Sequence, residues 1–339
     1  MKKETGKYTK QLTDLLNKSV NIAMVCHNNP DGDAIGSMLG LYRYLQQYGK
    51  SPAMISPSQI QEFLLWMKNI DSIIVIENNP GQAVKSIREA DLIIMLDFNH
   101  IDRSGKLKTH IQSSKAKKIL LDHHPNPEID VDLLISEPEF SSTAELVFSI
   151  VRDLEGEYYL DYDFMSSIFV GMMTDTGNFS FGTFNGDTLR DVAVMLDNGL
   201  DKDSIVTNVY DNFSINRLRL QGFATYERMV YLEEHHAAFI YLSRADLDRF
   251  KYKVGDTEGF VNIPLTAKGI ILSALFIERE NHIKVSLRSK GDFDVNLFAR
   301  KYFNGGGHFN ASGGKYKGTM EECLAYFEKV LDSLNDHKA

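Results

Sequence analysis

Two cysteines in 339 residues, Cys26 and Cys323, leave no disulfide framework and no CxxC pair from which a zinc site could be built. No apolar run approaches the roughly 20 residues needed to cross a bilayer. The opening stretch MKKETGKYTKQLTDLLNKS carries lysines but lacks the continuous apolar segment of a secretory signal. These absences point to a reducing, cytoplasmic setting with no membrane partner. A basic surplus is missing as well. Thirty-seven Lys and Arg stand against 46 Asp and Glu, a formal charge of −9, which argues against a protein that coats long duplex nucleic acid. A small phosphorylated substrate is still admissible, because bound cations and a few arginines can make one pocket positive on an acidic surface. What is present, 43% hydrophobic and 24% charged residues, is ordinary for a globular chain, and 339 residues exceed what one core usually serves, so two domains are expected.

Strand and helix signals alternate through the first half, the pattern of a parallel sheet with helices on both faces. VNIAMVC (20–26) reads as a buried strand and DAIGSMLGLYRYLQQYG (33–49) as an amphipathic helix ended by Gly49. PAMIS, SIIVI, DLIIML and KKILL read as further short strands. Ligands gather at the carboxyl ends of such strands. His27 to Asp33 follow the first strand, Asp97 closes the fourth, and Asp122, His123 and His124 close the fifth, so three distant segments should converge there. Helical periodicity dominates residues 141–230, and DNFSINRLRL (211–220) reads as a connecting helix or linker. HAAFIYL, GIILSALFIE and HIKVSLRS then alternate with the helical DVNLFARKYF and MEECLAYFEKVLDSL, which predicts a smaller C-terminal α/β domain. The division is set at 1–215 for a catalytic domain with its connecting helices and 216–339 for a substrate domain, with the active site in the cleft between them.

HNNPDGDAIGS supplies His27, Asp31 and Asp33 around a Pro-Asp-Gly turn that can aim two carboxylates at one point. The plainer reading is a surface turn with Asp33 capping the next helix. Asp97, at the exit of a buried strand, needs water, a cation or donors, and could equally be an N-cap. Asp122-His123-His124 occupies the same kind of position, whereas His235-His236 reads as a polar turn. Asp175 in GMMTDTGNF ends an apolar helix, where its charge opposes the helix dipole and calls for a cation. Four aspartates and two histidines form an oxygen and nitrogen donor set that suits Mn2+ or Mg2+ better than zinc.

Taken in order, HNNPDGDAIGS, Asp97 with Arg103, LDHH (121–124), TDTGNF (174–179), VSLRS (285–289) and GGGHFNASGG (305–314) resemble the motif set of the DHH phosphoesterases with their associated C-terminal domain. The resemblance implies a first ion on His27 and Asp31, a second on Asp33 and His123, and Asp97 and Asp175 shared. It implies that Asp122 orients its neighbours, that His124 meets the scissile phosphate, and that a water activated between two cations is the nucleophile. Four carboxylates cancel the charge of two divalent ions, so a phosphate needs extra donors: Arg103 and His124, then Arg288, Ser289, Gly305, Gly306, Gly307 and His308. The glycines would let backbone N–H groups approach the phosphate. Ser312 departs from the alanine common at that point of the motif. The implied substrates are short oligoribonucleotides cut from an end to 5′-mononucleotides and 3′-phosphoadenosine 5′-phosphate (pAp). Alternatives are cyclic di-AMP or linear pApA hydrolysis and, from another class, a non-catalytic nucleotide sensor. A homodimer is left open.

Overall fold

The computed structural model describes residues 5–180 and 182–335. It divides into two compact units, one ending at Asn212 and one beginning at Phe213.

Six strands build the first sheet: β1 (Ile22–Val25), β2 (Ala53–Ser56), β3 (Ile74–Val75), β4 (Leu92–Leu96), β5 (Lys117–Asp122) and β6 (Leu133–Ser136). Their spatial order is β3-β2-β1-β4-β5-β6 and every neighbouring pair is parallel. The helices of this unit are α1 (Gly6–Lys18), α2 (Gly32–Gln46), α3 (Pro80–Glu89), α4 (Lys108–Ser113), α5 (Thr143–Glu155), α6 (Tyr162–Asp175), α7 (Gly186–Asp197) and α8 (Lys202–Tyr210). Both sheet faces are apolar because successive side chains alternate. Ile22, Met24, Leu92, Ile94 and Leu96 join a core with α1, α2, α5 and α6, while Ala23, Val25, Ile93 and Met95 join another that includes α3 and α4. The parallel sheet covered on both sides is thus as the strand runs predict. β6, in the acidic stretch DVDLLIS, is the one strand of this sheet that the runs do not signal.

The strand order reverses between β1 and β4, so the loops leaving these two neighbours diverge to opposite sides and open a crevice at their carboxyl ends. α2 and α6 border it, and glycine sets how closely they pack. Gly32, Gly36 and Gly40 recur every fourth residue along one face of α2. A Cβ at Gly32 would lie 2.3 Å from Thr174 Oγ1, and one at Gly36 would lie 2.4 Å from the Ser167 carbonyl oxygen. The backbones therefore meet almost directly, which brings Asp175 at the end of α6 toward the loop that starts α2.

The second unit holds α9 (Ile215–Glu227), β7 (Met229–Leu232), β8 (Ala237–Leu242), α10 (Arg244–Arg249), β9 (Leu272–Glu278), β10 (Ile283–Ser289), α11 (Val295–Tyr302), β11 (Gly306–Gly307), β12 (Ala311–Tyr316) and α12 (Met320–Asn335). Its sheet runs β11-β12-β10-β9-β8-β7, antiparallel except for β8 against β9. Phe239, Phe276, Val285 and Leu287 pack on one face with Phe298, Phe303 and Phe327, and Ile240, Leu275 and Ile277 pack on the other with Leu220 and Ala224 of α9. The stretch read as a connecting helix or linker is therefore the start of α9, capped by Ser214 and seated on this sheet. No helix among the described residues is long and apolar enough to cross a membrane.

Candidate metal centre

Three loops and two helix ends bring the acidic and imidazole side chains of the first unit together. His27 follows β1, and its Nδ1–H donates to the Asn28 carbonyl oxygen at 3.0 Å. Asp31 is the N-cap of α2, its Oδ1 accepting from the backbone N–H groups of Asp33 and Ala34 at 3.1 Å each. The capping role that the plainer reading gave to Asp33 belongs to Asp31. Asp33 instead turns inward and is buried, its two oxygens accepting from the N–H groups of Thr143 (2.7 Å) and Ala144 (2.8 Å) at the start of α5. Asp97 leaves β4 with φ 65°, a left-handed conformation that aspartate adopts more readily than most residues and that still costs about 1–3 kcal/mol. Its Oδ1 accepts from the Thr143 hydroxyl at 3.0 Å. His123 follows β5 and donates from Nδ1 to the Phe140 carbonyl oxygen at 3.2 Å, a carbonyl that also accepts from Thr183 Oγ1.

Both of these histidines are thereby fixed as the Nδ1–H tautomer, with Nε2 turned toward carboxylates. His27 Nε2 lies 3.3 Å from Asp97 Oδ2 and 3.6 Å from Asp31 Oδ1. His123 Nε2 lies 3.4 Å from Asp175 Oδ2 and 3.7 Å from Asp97 Oδ1 and Asp33 Oδ2. The ligand atoms of His27, Asp31 and Asp97 all fall within 4.8 Å of one another, and so do those of Asp33, His123 and Asp175. Asp97 reaches both groups with different oxygens. All six residues proposed from sequence as ligands are brought together, although four separate segments supply them.

The buried carboxylates and imidazoles shift one another's proton affinities. Burial first, then the charges of Asp97, Asp175 and Asp31, push the Asp33 carboxyl well above its ordinary range. Burial and Arg103 oppose a charge on His27, yet Asp31 and Asp97 outweigh them and raise the imidazole to about 9. Burial likewise opposes a charge on His123, which Asp175 and Asp97 nonetheless push upward. Burial disfavours the ionised Asp31, but His27 prevails and holds that carboxyl well below its usual range. His27 Nε2 is buried and makes no hydrogen bond. Such an orphaned nitrogen is costly in a closed site, and a divalent ion would satisfy it while neutralising the crowded carboxylates. The hard oxygen and imidazole donors fit two ions of the Mn2+ or Mg2+ kind.

His124 is built differently from its neighbour. Its Nδ1–H donates to Asp122 Oδ1 at 2.7 Å, and Arg103 Nη1 donates to its Nε2 at 2.9 Å. Asp122 is fully buried, and burial, then Asp97, push its carboxyl up to about 7. Arg103 is itself placed by its carbonyl oxygen, which accepts from the Asn28 N–H at 2.6 Å and so ties the loop after β4 to the loop after β1. The three residues form one hydrogen-bonded row beside Asp97.

Among the second-unit candidates, the glycines are occupied by the backbone. Gly306 and Gly307 form β11 against β12. A Cβ at Gly305 would lie 1.8 Å from the Gly313 carbonyl oxygen, and one at Gly307 would lie 2.5 Å from that of Ala311. The Gly305 N–H donates to the Ala299 carbonyl, that of Gly307 to Asn296 Oδ1, and that of His308 to the Ala311 carbonyl. Ser289 Oγ donates to the Phe293 carbonyl and accepts from Asn310, so its hydroxyl holds the end of β10 in place. Ser312, the departure from the motif, donates to the His308 carbonyl oxygen at 2.9 Å. Arg288 lies half-buried on β10 and His308 half-buried after β11.

The sequence reading omits Thr143, Ala144 and Phe140, which hold Asp33, Asp97 and His123. The run SSTAE announces only a helix start, with Ser142 as its cap.

Comparison with known proteins agrees with this architecture. The bifunctional oligoribonuclease and PAP phosphatase NrnA of Bacillus subtilis is 28% identical over 290 residues, covering 85% of this chain and 86% of that one. The cyclic-di-AMP phosphodiesterase PdeA of Listeria monocytogenes is 26% identical over 345 residues, covering 96% of this chain and 49% of that one. A crystal structure of an exopolyphosphatase-related protein from Bacteroides fragilis superimposes with a TM-score of 0.91 at 38% identity, covering 98% of both chains. The model of the DHH family N-terminal domain matches residues 21–172 and that of the DHHA1 domain matches 237–335. The chain belongs to the DHH family and joins its N-terminal domain to a DHHA1 domain.

Proposed function

We propose that the protein is a two-metal phosphoesterase that hydrolyses short oligoribonucleotides from an end to 5′-mononucleotides and removes a phosphate from pAp. The observation that carries this reading is the pair of three-ligand groups, each with one imidazole nitrogen facing carboxylates, with Asp97 a member of the first and its Oδ1 3.7 Å from the His123 Nε2 of the second. The oligoribonuclease and PAP phosphatase relative, matched along most of both chains, supports the substrate class. His27 and Asp31 would hold one ion, Asp33, His123 and Asp175 the other, and Asp97 both. Two bound divalent ions, both Mn2+ or alternatively both Mg2+, would supply Lewis-acid activation of water and neutralise charge on the phosphate.

The chain's own residues do the remainder. Four aspartates balance the two ions, so added positive charge for the phosphate comes from Arg103, and Arg288 and His308 are assigned as phosphate contacts in the second unit. Asp122 fixes the orientation of His124 through Nδ1. To protonate a leaving oxygen, His124 must take up a proton at Nε2, the atom to which Arg103 donates. A phosphate that drew Arg103 away would free that nitrogen. Gly305, Gly307 and His308 spend their N–H groups within the second unit, so Arg288 and His308 would approach a phosphate through their side chains.

The test is a Mn2+-supplemented panel of short RNA, short DNA, pAp and cyclic di-AMP. A labelled RNA trinucleotide losing terminal nucleotides first, together with pAp turnover, is the expected result. Internal cutting first would contradict the exonucleolytic reading, and faster cyclic di-AMP turnover would favour the alternative activity.

A further inference from the structure

We propose that Thr143 is a positioning residue that aims the shared carboxylate of Asp97 and couples the two ion subsites, an inference that rests on the two-metal reading of the same crevice. Thr143 is fully buried and is the first residue of α5. Its backbone N–H serves Asp33 at 2.7 Å and its hydroxyl serves Asp97 at 3.0 Å. The N–H of Ala144 takes the second oxygen of Asp33, and the Phe140 carbonyl sets the tautomer of His123. Residues 140–144 thus orient Asp33, Asp97 and His123, although none of the three belongs to this segment.

Each contact uses a group that its local structure leaves available. The first N–H groups of a helix have no intrahelical acceptor, and the positive end of the helix favours a carboxylate there. Asp33 meets both needs, while Ser142 Oγ satisfies the Glu145 N–H as the cap. The close approach depends on Gly171, because a Cβ there would lie 2.4 Å from Ala144 Cβ and 3.0 Å from Asp33 Oδ1. Asp97 has a different requirement. Its Oδ2 faces His27 and its Oδ1 faces His123, so if it held both ions a rotation of its carboxylate would disturb both subsites together. Donation by Thr143 to Oδ1 fixes that rotation, with Oδ2 toward His27 and Oδ1 toward His123. A carboxylate oxygen offers two lone-pair positions, so the hydroxyl leaves one for a cation. A β-branched threonine is stiff at χ1, which suits a donor that must hold one direction.

The test uses the full chain and reads metal uptake rather than turnover. Mn2+ is titrated by calorimetry into the unmodified protein and into Thr143→Val, Thr143→Ala and Thr143→Ser, and low-temperature electron paramagnetic resonance reports whether the two ions are exchange-coupled. The unmodified protein should bind two ions with a coupled spectrum. Val and Ala should each weaken binding about 10–100-fold, the usual effect of losing an outer-shell partner, and lose the coupled signal at two equivalents, while Ser should stay within about threefold. Ala carries the same expectation if Val fails to fold. A merely structural role would lower thermal stability and leave affinity and coupling unchanged, and that result would overturn the proposal. So would a Ser variant as impaired as Val. If the unmodified protein bound no pair of ions, the two-metal reading itself would fall, a distinguishable outcome.

Discussion

The carboxylate crevice of the first unit and the glycine hairpin of the second both stand out as sequence motifs, but they differ in what the fold leaves undone. In the crevice, hydrogen bonds fix the ligands' directions yet leave His27 Nε2 without a hydrogen bond and the Asp33 carboxyl pushed upward by burial and then by like charges. In the hairpin, the N–H groups of Gly305, Gly307 and His308 are already taken, and two of the glycines are required by atoms closer than a Cβ tolerates. A motif that stays unsatisfied after folding asks for a ligand, whereas one that folding satisfies is explained by the fold itself.

Asp97→Asn should break the first half of this contrast most severely. Asparagine tolerates the left-handed backbone but removes the shared charge, so turnover should fall by more than the roughly 10–100-fold typical of outer-shell changes, with circular dichroism unaltered. Turnover retained within that range would remove Asp97 from its central role. Gly305→Ala tests the second half, since a Cβ 1.8 Å from the Gly313 carbonyl oxygen forces the hairpin apart. We expect a loss of about 3 kcal/mol or more in denaturant unfolding, at the upper end of overpacking costs. Gly306→Ala is the matched control. Its Cβ would meet Asn296 Oδ1 at 3.4 Å and nothing closer, so stability should move by less than about 0.5 kcal/mol.

Acidity sharpens the comparison with an intermediate effect. Without cations, the raised imidazole of His27 contributes stability that is fully present below its ordinary value of 6.5 and fades as pH rises through about 9. Bound cations reverse the trend, because ligands must shed protons to bind. The rise in melting temperature on adding Mn2+ should therefore grow from pH 6.5 to 9, toward about 2.7 kcal/mol of stabilisation where free metal is 100 times its Kd. A shift independent of pH would contradict the assignment of His27. The smallest effect belongs to His235→Ala. His235 meets Asp332 at 2.9 Å near the surface, and its loss should cost less than about 1 kcal/mol and leave metal binding intact. The two adjacent-histidine pairs differ in their surroundings rather than in their residues.

Much of the crevice is legible in sequence because apolar strand runs are short and well separated, and because a charged residue directly after such a run has few places to go. That logic locates His27, Asp97 and His123 at the edge of the sheet. The dipole argument at the end of α6 locates Asp175. Asp31 and Asp33 flank a glycine in one turn, and only packing against α5 decides that the second turns inward while the first caps α2. Thr143 stays hidden for the same reason, since nothing in SSTAE records what lies across from a helix start. β11 and β12 escape notice because glycines carry no side-chain periodicity, and β7 because only two of its four residues, Val230 and Leu232, turn toward the core.

Anomalous diffraction from crystals grown with Mn2+ tests the central claim most directly. Two peaks roughly 3.5–4 Å apart are expected, one beside His27 and Asp31, the other beside Asp33, His123 and Asp175, with Asp97 touching both. A single peak, or two peaks that do not share Asp97, would contradict the account.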